Sequence, residues 1–205
     1  LESVVSGSPY LRQLLQEHQA FATRCFNEVP ETLFDELLVR TQLIDENLNQ
    51  NLRHRKAEFA LLCGLCDLGN IWSLNEVTNA ITRFADTVIA TAVNALVLEA
   101  HTAGKYSLPD PQSPASGCGY VVLAMGKHGA YELNYSSDVD LIVLYDAETA
   151  CLPPETEVAK FFVKLTQRLV SLLQETTVDG YVFRTDLRLR PDPRATQIAI
   201  SIESA

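Results

Sequence analysis

A chain of 205 residues with 47% hydrophobic and 20% charged residues can bury a substantial core and has the make-up of an ordinary globular protein, not of a disordered or fibrous one. Its net charge of −10 argues against wrapping nucleic acid, whose phosphates reward a basic face, although a local basic pocket is compatible with it. No unbroken apolar run of membrane-spanning length and no charged-then-apolar leader is visible, so neither a membrane nor a secretory route is expected, and five cysteines without framework spacing fit a reducing cytoplasm.

The chain opens at Leu1 without an initiator methionine, which reads as a piece of something longer. Pro9 to His18 predicts a short amphipathic helix, and Pro30 with Glu31 opens a longer helical region through Phe34, Leu37, Leu38 and Leu43. The basic run Asn51 to Lys56 reads as a solvated helix face or a contact for an acidic partner. It leads into Phe59, Leu61, Leu62, Leu65 and Leu68, with Gly69 and Asn70 as the stop. Cys63 and Cys66 lie on that helix with no preceding strand and no second pair, so they read as buried apolar positions and not as a redox or metal half-site. Ser73 and Glu76 form a capping box, behind which Val77, Ile81, Phe84, Val88, Ala92 and Leu96 recur every three or four residues toward Ala103 and Gly104. His101 on this helix reads as structural or exposed, not as a ligand. Pro109, Pro111, Pro114 and Gly117 then break regular structure, which predicts a helical region over residues 1–105 and a mixed core over residues 106–205.

In the second part Tyr120 to Met125 predicts a short buried strand, ended by Gly126 where the backbone must turn tightly or approach a ligand. A polar loop from Lys127 to Ser137 leads to a second strand from Val139 to Tyr145, apolar on both faces beyond its acidic start and so expected to be covered on both. Pro153 and Pro154 precede a helix lined by Val158, Phe161, Phe162, Leu165, Leu169 and Leu172. After Gly180 a third strand is expected to alternate from Tyr181 to Arg190, with Val182, Arg184, Asp186, Arg188 and Arg190 on one face, and to end at Pro191.

Asp138 and Asp140 share a strand face, and two bare carboxylates about 6 Å apart repel by ~3 kcal/mol at an effective dielectric of ~20, so the pair asks for a cation, of which Mg²⁺ suits oxygen ligands best. An Asp-x-Asp alone is a weak signal. Its setting after a glycine turn and a loop with Ser136 and Ser137, and before a strand carrying Asp186 and arginines, supplies what nucleotidyl transfer needs. Backbone amides at Gly126, Lys127 and Ser137 are candidates to cradle a phosphate, and Arg184 and Arg188 to hold charge as it develops. Gly126-Lys127 is not a Walker-type loop, because the preceding glycine and the following Ser/Thr are absent.

The stretches GKHGAYELNYSSDVDLIVLYD and DGYVFRTDLRLRP resemble the nucleotidyltransferase signatures of the bifunctional glutamine synthetase adenylyltransferase/adenylyl-removing family, in the DNA polymerase β-like superfamily, and NLRHRKAEFALLCGLCDL is similar to its region upstream of the core. The resemblance implies an α+β fold, with a helical N-terminal portion against a nucleotidyltransferase sheet. It implies Asp138, Asp140 and Asp186 as catalytic metal ligands for two Mg²⁺ ions, and Gly126 and Ser137 as phosphate-loop positions. The implied partners are glutamine synthetase as protein substrate, phosphate and ADP or else ATP, and a PII-type signal protein. The wording SSDVDLIVLYD and RTDLRLRPDP is closer to the adenylyl-removing half, which implies phosphorolysis of AMP-tyrosine to ADP. ATP-dependent adenylylation, or a silent docking module, are the alternatives. Departures from the family pattern are His128 in place of leucine, Ala130 in place of glycine, and PDPRAT with Arg194 after Arg190.

Overall fold

The computed structural model describes residues 7–190, 192 and 195–204. They form an α+β architecture in which helices α1 (Pro9–Glu17), α2 (Gln19–Asn27), α3 (Pro30–Thr41), α4 (Leu48–Leu68) and α5 (Leu74–Thr102) come first. Strand β1 (Tyr120–Met125), the one-turn α6 (Gly126–Gly129), β2 (Val139–Tyr145), α7 (Val158–Gln174), β3 (Thr185–Asp186), β4 (Ile200–Ser201) and a 3-10 turn over Ile202–Ser204 follow. Contacts divide the chain into two compact units, Leu1–Val88 and Ile89–Ala205, and the division falls inside α5 instead of at the Pro-rich stretch.

In the first unit the expected helix signals are realised as hydrogen bonds. Ser8 Oγ accepts the Leu11 N–H (3.3 Å) ahead of Pro9, and the Ser73 N–H donates to Glu76 Oε2 (2.7 Å), closing the capping box. Asn70 takes the left-handed turn after α4 at φ 51°. The core is aromatic at its centre: Phe59 stacks on Phe84 at 4.4 Å and tilts against Phe34 at 5.7 Å. Cys63 and Cys66 are buried, as expected of apolar helix positions, and burial pushes the Cys66 thiol up to about 12. Leu43 departs from expectation, lying beyond the end of α3 and exposed. Helix α2 fills the stretch between Glu17 and Pro30 for which no element was expected.

The basic run on α4 is also drier than a solvated face. Arg53 is buried, and its Nη1 donates to the Asn49 carbonyl (2.9 Å), the long stem letting the charged head reach a backbone acceptor. Lys56 Nζ sits over Phe59 (5.7 Å) and Phe84 (6.0 Å), where burial pushes its ammonium down to about 8. The unfolded chain holds this proton more tightly than the folded protein. The charge therefore costs stability in full below about pH 8, and the cost fades as the pH rises toward the unfolded value of 10.5. Lys56→Met is expected to stabilise the protein at neutral pH by about 1–3 kcal/mol, allowing for the lost cation–π contact. Calorimetry at neutral and at alkaline pH checks this, since the advantage should shrink in alkali.

In the second unit β1 and β2 are antiparallel, with Tyr120 opposite Tyr145 and Met125 opposite Asp140. Strand β2 also pairs in parallel with β3 through Asp140↔Asp186 and with β4 through Leu144↔Ile200. Helix α7 covers one face: Phe162 stacks on Tyr145 (4.9 Å) and Tyr120 (5.7 Å), and the Tyr120 hydroxyl bonds Thr166 Oγ1 (2.8 Å). Val139, Leu141 and Val143 are buried beneath it. The expectation that both faces are covered is not met. Val121 and Leu123 of β1 are 40% and 41% exposed, and their opposite numbers Leu144 and Ile142 are only half-buried, so β1 is an open-faced strand and not a buried one.

The third strand is much shorter than its alternation predicts. Val182 and Phe183 are both buried, because both of their N–H groups dock on the Leu173 carbonyl at the end of α7 (2.9 Å each), which turns the chain before it can extend. At the other end Asp186 Oδ1 accepts the Arg188 N–H (2.8 Å), an Asx turn that stops the strand. Helix α5 combines length with low polarity, so by length and composition it is long and apolar enough to cross a membrane, although no unbroken apolar run exists; 61% of that window is buried within the protein, as in a core helix.

Candidate active site

Two strand positions, Asp140 on β2 and Asp186 on β3, bring acidic residues to one end of the open sheet face, and Asp138 immediately precedes β2. Asp140 is opposite Met125 on one side and in register with Asp186 on the other. The Val139 N–H donates to the Arg184 carbonyl (2.9 Å), which extends this ladder toward Asp138, an exposed residue that lies just outside β2 and not within the strand as expected. The end of α7 sets the position of β3, since Gln174 Oε1 accepts the Thr185 hydroxyl (2.9 Å) beside the Leu173 carbonyl bonds. Sequence reasoning did not single out Gln174 or Leu173, because nothing local marks a helix end as the seat of a strand.

The side chains divide the three carboxylates unequally. Arg184 Nε donates to Asp138 Oδ1 (2.6 Å) and its Nη2 to the Ser136 carbonyl (2.6 Å). Arg188 grips Asp186 through Nε (2.9 and 3.0 Å) and Nη2 (2.5 Å). That guanidinium holds the Asp186 carboxyl below the usual carboxylate range, so Asp186 is charged at neutral pH and the stabilisation from the pair is lost only as the pH falls through the lowered value. Asp140, half-buried between them, has no hydrogen-bond or ion-pair partner among the described residues. No group of three or more His, Cys, Asp or Glu among the described residues is gathered as a metal cage, since Asp138 and Asp186 turn to their arginines. The donor set still fits a hard divalent cation: a carboxylate without a partner, flanked by two whose counter-charges are exposed guanidinium groups on flexible stems.

Gly126 acts by what it lacks. It turns at φ +54°, and a Cβ there would collide with Asp140 Oδ2. The polar loop after it starts with the single turn α6, on which Lys127 is exposed without an ion-pair partner among the described residues, and His128 is buried. Ser137 is spent locally: its N–H donates to the Asn134 carbonyl (3.2 Å) and its hydroxyl to Asn134 Oδ1 (2.7 Å). Pro191 and Arg194 lie outside the described residues.

The family model described as glutamate-ammonia ligase adenylyltransferase matches residues 1–205, the whole chain. The chain belongs to this family. It is 43% identical over 211 residues to the bifunctional glutamine synthetase adenylyltransferase/adenylyl-removing enzyme of Bradyrhizobium diazoefficiens, a match that covers 100% of this chain and 21% of that protein. Proteins of the same name from Bradyrhizobium sp. strain ORS 278 (44% over 211 residues, 100% of this chain and 21% of the relative) and Xanthobacter autotrophicus (43% over 207 residues, 98% and 21%) are similar to the same degree. The chain thus spans about a fifth of the length of the curated relatives it matches. The adenylyltransferase family relation makes the carboxylate end of the sheet its candidate active site.

Proposed function

We propose that this unit removes AMP from an adenylylated tyrosine of glutamine synthetase by phosphorolysis, in a cytoplasmic enzyme that answers to a PII-type signal protein. The observation that supports it most is the carboxylate of Asp140, which has no hydrogen-bond or ion-pair partner among the described residues, is in register with Asp186 and is admitted by the missing side chain at Gly126. Asp138, Asp140 and Asp186 would hold Mg²⁺, which when bound neutralises phosphate charge and stabilises the attacking and leaving oxygens. The remaining work is positional. Arg184 and Arg188 stand at the carboxylates on exposed stems; swinging to a phosphate costs Arg184 only an exposed ion pair, whereas Arg188 would leave the mostly buried Asp186 carboxylate to a bound cation. Lys127 adds a further cation to a chain whose net charge is −10 and which must otherwise repel its substrate.

In this reaction an oxygen of inorganic phosphate forms a bond to the AMP phosphorus while the bond from that phosphorus to the tyrosyl oxygen breaks. ADP and the free tyrosine leave, the phenolate taking its proton from solvent. The choice of removal over transfer rests on the sequence wording of the two signatures. The test is a paired assay of the full-length enzyme with Mg²⁺: adenylylated glutamine synthetase plus phosphate, read as ADP, against unmodified glutamine synthetase plus ATP, read as incorporated AMP. Substitution of Asp138 by Asn in this half alone should silence the first and spare the second. Loss of the second alone would assign transfer to this unit, and loss of neither would leave it a docking module.

A further inference from the structure

We infer that the apolar rung beside the carboxylates, Leu123 on β1 facing Ile142 on β2, is the seat of the adenine base; this rests on the nucleotidyl reading of the site. The two residues are register partners, and so are Met125 and Asp140 one side-chain repeat further along, so the rung and the Asp140 carboxylate occupy one face of the same two strands. On that face Leu123 is 41% exposed and Val121 40%, with Ile142 and Leu144 half-buried, whereas the opposite face is closed by α7. Strand geometry puts Ile142 about 7 Å from Asp140, which is one ribose away from a phosphate held at the carboxylates. The face therefore changes from charged to apolar over the length of a 5′-nucleotide, and in the same direction as the nucleotide itself.

No other part of a nucleotide suits the rung. A phosphate or ribose there would lose hydration without gaining a hydrogen bond, while a planar base gains by covering branched apolar side chains. The open face also spares the base edges from being read by the strands, so selectivity for adenine over guanine has to come from elsewhere, and the rung supplies binding of the base as a plane.

Two measurements on the full-length enzyme test this. With Leu123→Cys, a thiol reagent with mass-spectrometric location of the label should modify position 123 in the free enzyme; Mg²⁺ with ADP should protect it, and Mg²⁺ with pyrophosphate should not. With Leu123→Glu, affinity for ADP should fall about tenfold or more while that for pyrophosphate stays within about twofold. No labelling at 123 in the free enzyme would show the rung covered by another part of the polypeptide and overturn the inference, as would equal protection by both ligands. Protection by glutamine synthetase but not by ADP would overturn it in favour of the protein substrate. If the wild-type enzyme bound ADP, and Asp140→Asn abolished that binding while Leu123→Glu did not change it, the rung would fall and the nucleotidyl site would stand. If the wild-type enzyme bound no nucleotide through this unit, the site reading itself would fall.

Discussion

Gly126→Ala in the full-length enzyme is expected to lower turnover about a hundredfold and to cost about 1–2 kcal/mol of stability. The added Cβ would stand inside any real contact distance of Asp140 Oδ2. Something must move, and the movable partner is the far end of the Asp140 side chain. The steric conflict is therefore relieved at the expense of the carboxylate that the site needs in place, and misplacing a reacting group by about 1 Å costs on the order of a hundredfold. The backbone adds its own charge, because φ +54° is a conformation that costs an L-residue roughly 1–2 kcal/mol. Steady-state kinetics with a thermal melt on the same sample separates the two: unchanged turnover would remove Gly126 from the site, and a collapse of the melt would make its role one of folding.

Phe162→Ala carries the largest expected loss of stability, about 3–5 kcal/mol. Phe162 is fully buried and lies at ring-contact distance from Tyr120 (5.7 Å), Tyr145 (4.9 Å), Phe161 (5.2 Å) and Tyr106 (6.5 Å). Removing the ring leaves a cavity between α7 and the sheet, lined by groups that cannot all collapse into it. Since the end of α7 also seats β3 through Leu173 and Gln174, loosening the helix should blur the Asp140–Asp186 register. Denaturant unfolding of the two proteins checks the magnitude, and a loss below about 1 kcal/mol would mean that α7 does not hold the sheet through this residue.

Local signals carried much of the architecture in the sequence. The capping box at Ser73 and Glu76, the stop at Gly69 and Asn70, and Gly104 at the end of α5 each bound a helix by short-range hydrogen bonding or backbone freedom, and all three stand where the pattern puts them. The acidic start of β2 was legible for the same reason, although only Asp140 of the Asp138–Asp140 pair lies within the strand. The alignment of Asp186 with Asp140 was expected only as a third carboxylate nearby, and its register depends on Leu173 and Gln174, which are remote in sequence.

What could not be read was burial set by neighbours. Leu123 and Leu141 look alike in sequence, yet one is exposed and the other is buried, because α7 covers the face that carries Leu141 and leaves the face that carries Leu123 open among the described residues. Arg53 and Lys56 look like surface charges until α4 is packed, and the alternation from Tyr181 to Arg190 looks like a strand until Val182 and Phe183 dock on a helix end. The pairing of Arg184 with Asp138 and Arg188 with Asp186 likewise depends on where β3 stops, which the Asx turn at Asp186 decides.

The most direct test is a magnesium titration of ADP release from adenylylated glutamine synthetase and phosphate by the full-length enzyme, comparing wild type with Asp140→Asn. Asp140 is the carboxylate left without a partner among the described residues, so the wild type should show a saturable dependence on Mg²⁺, and the variant should be slower by about a thousandfold or more at every concentration. An equal rate and an equal Mg²⁺ dependence in the two proteins would contradict a phosphoryl-transfer site at Asp138, Asp140 and Asp186.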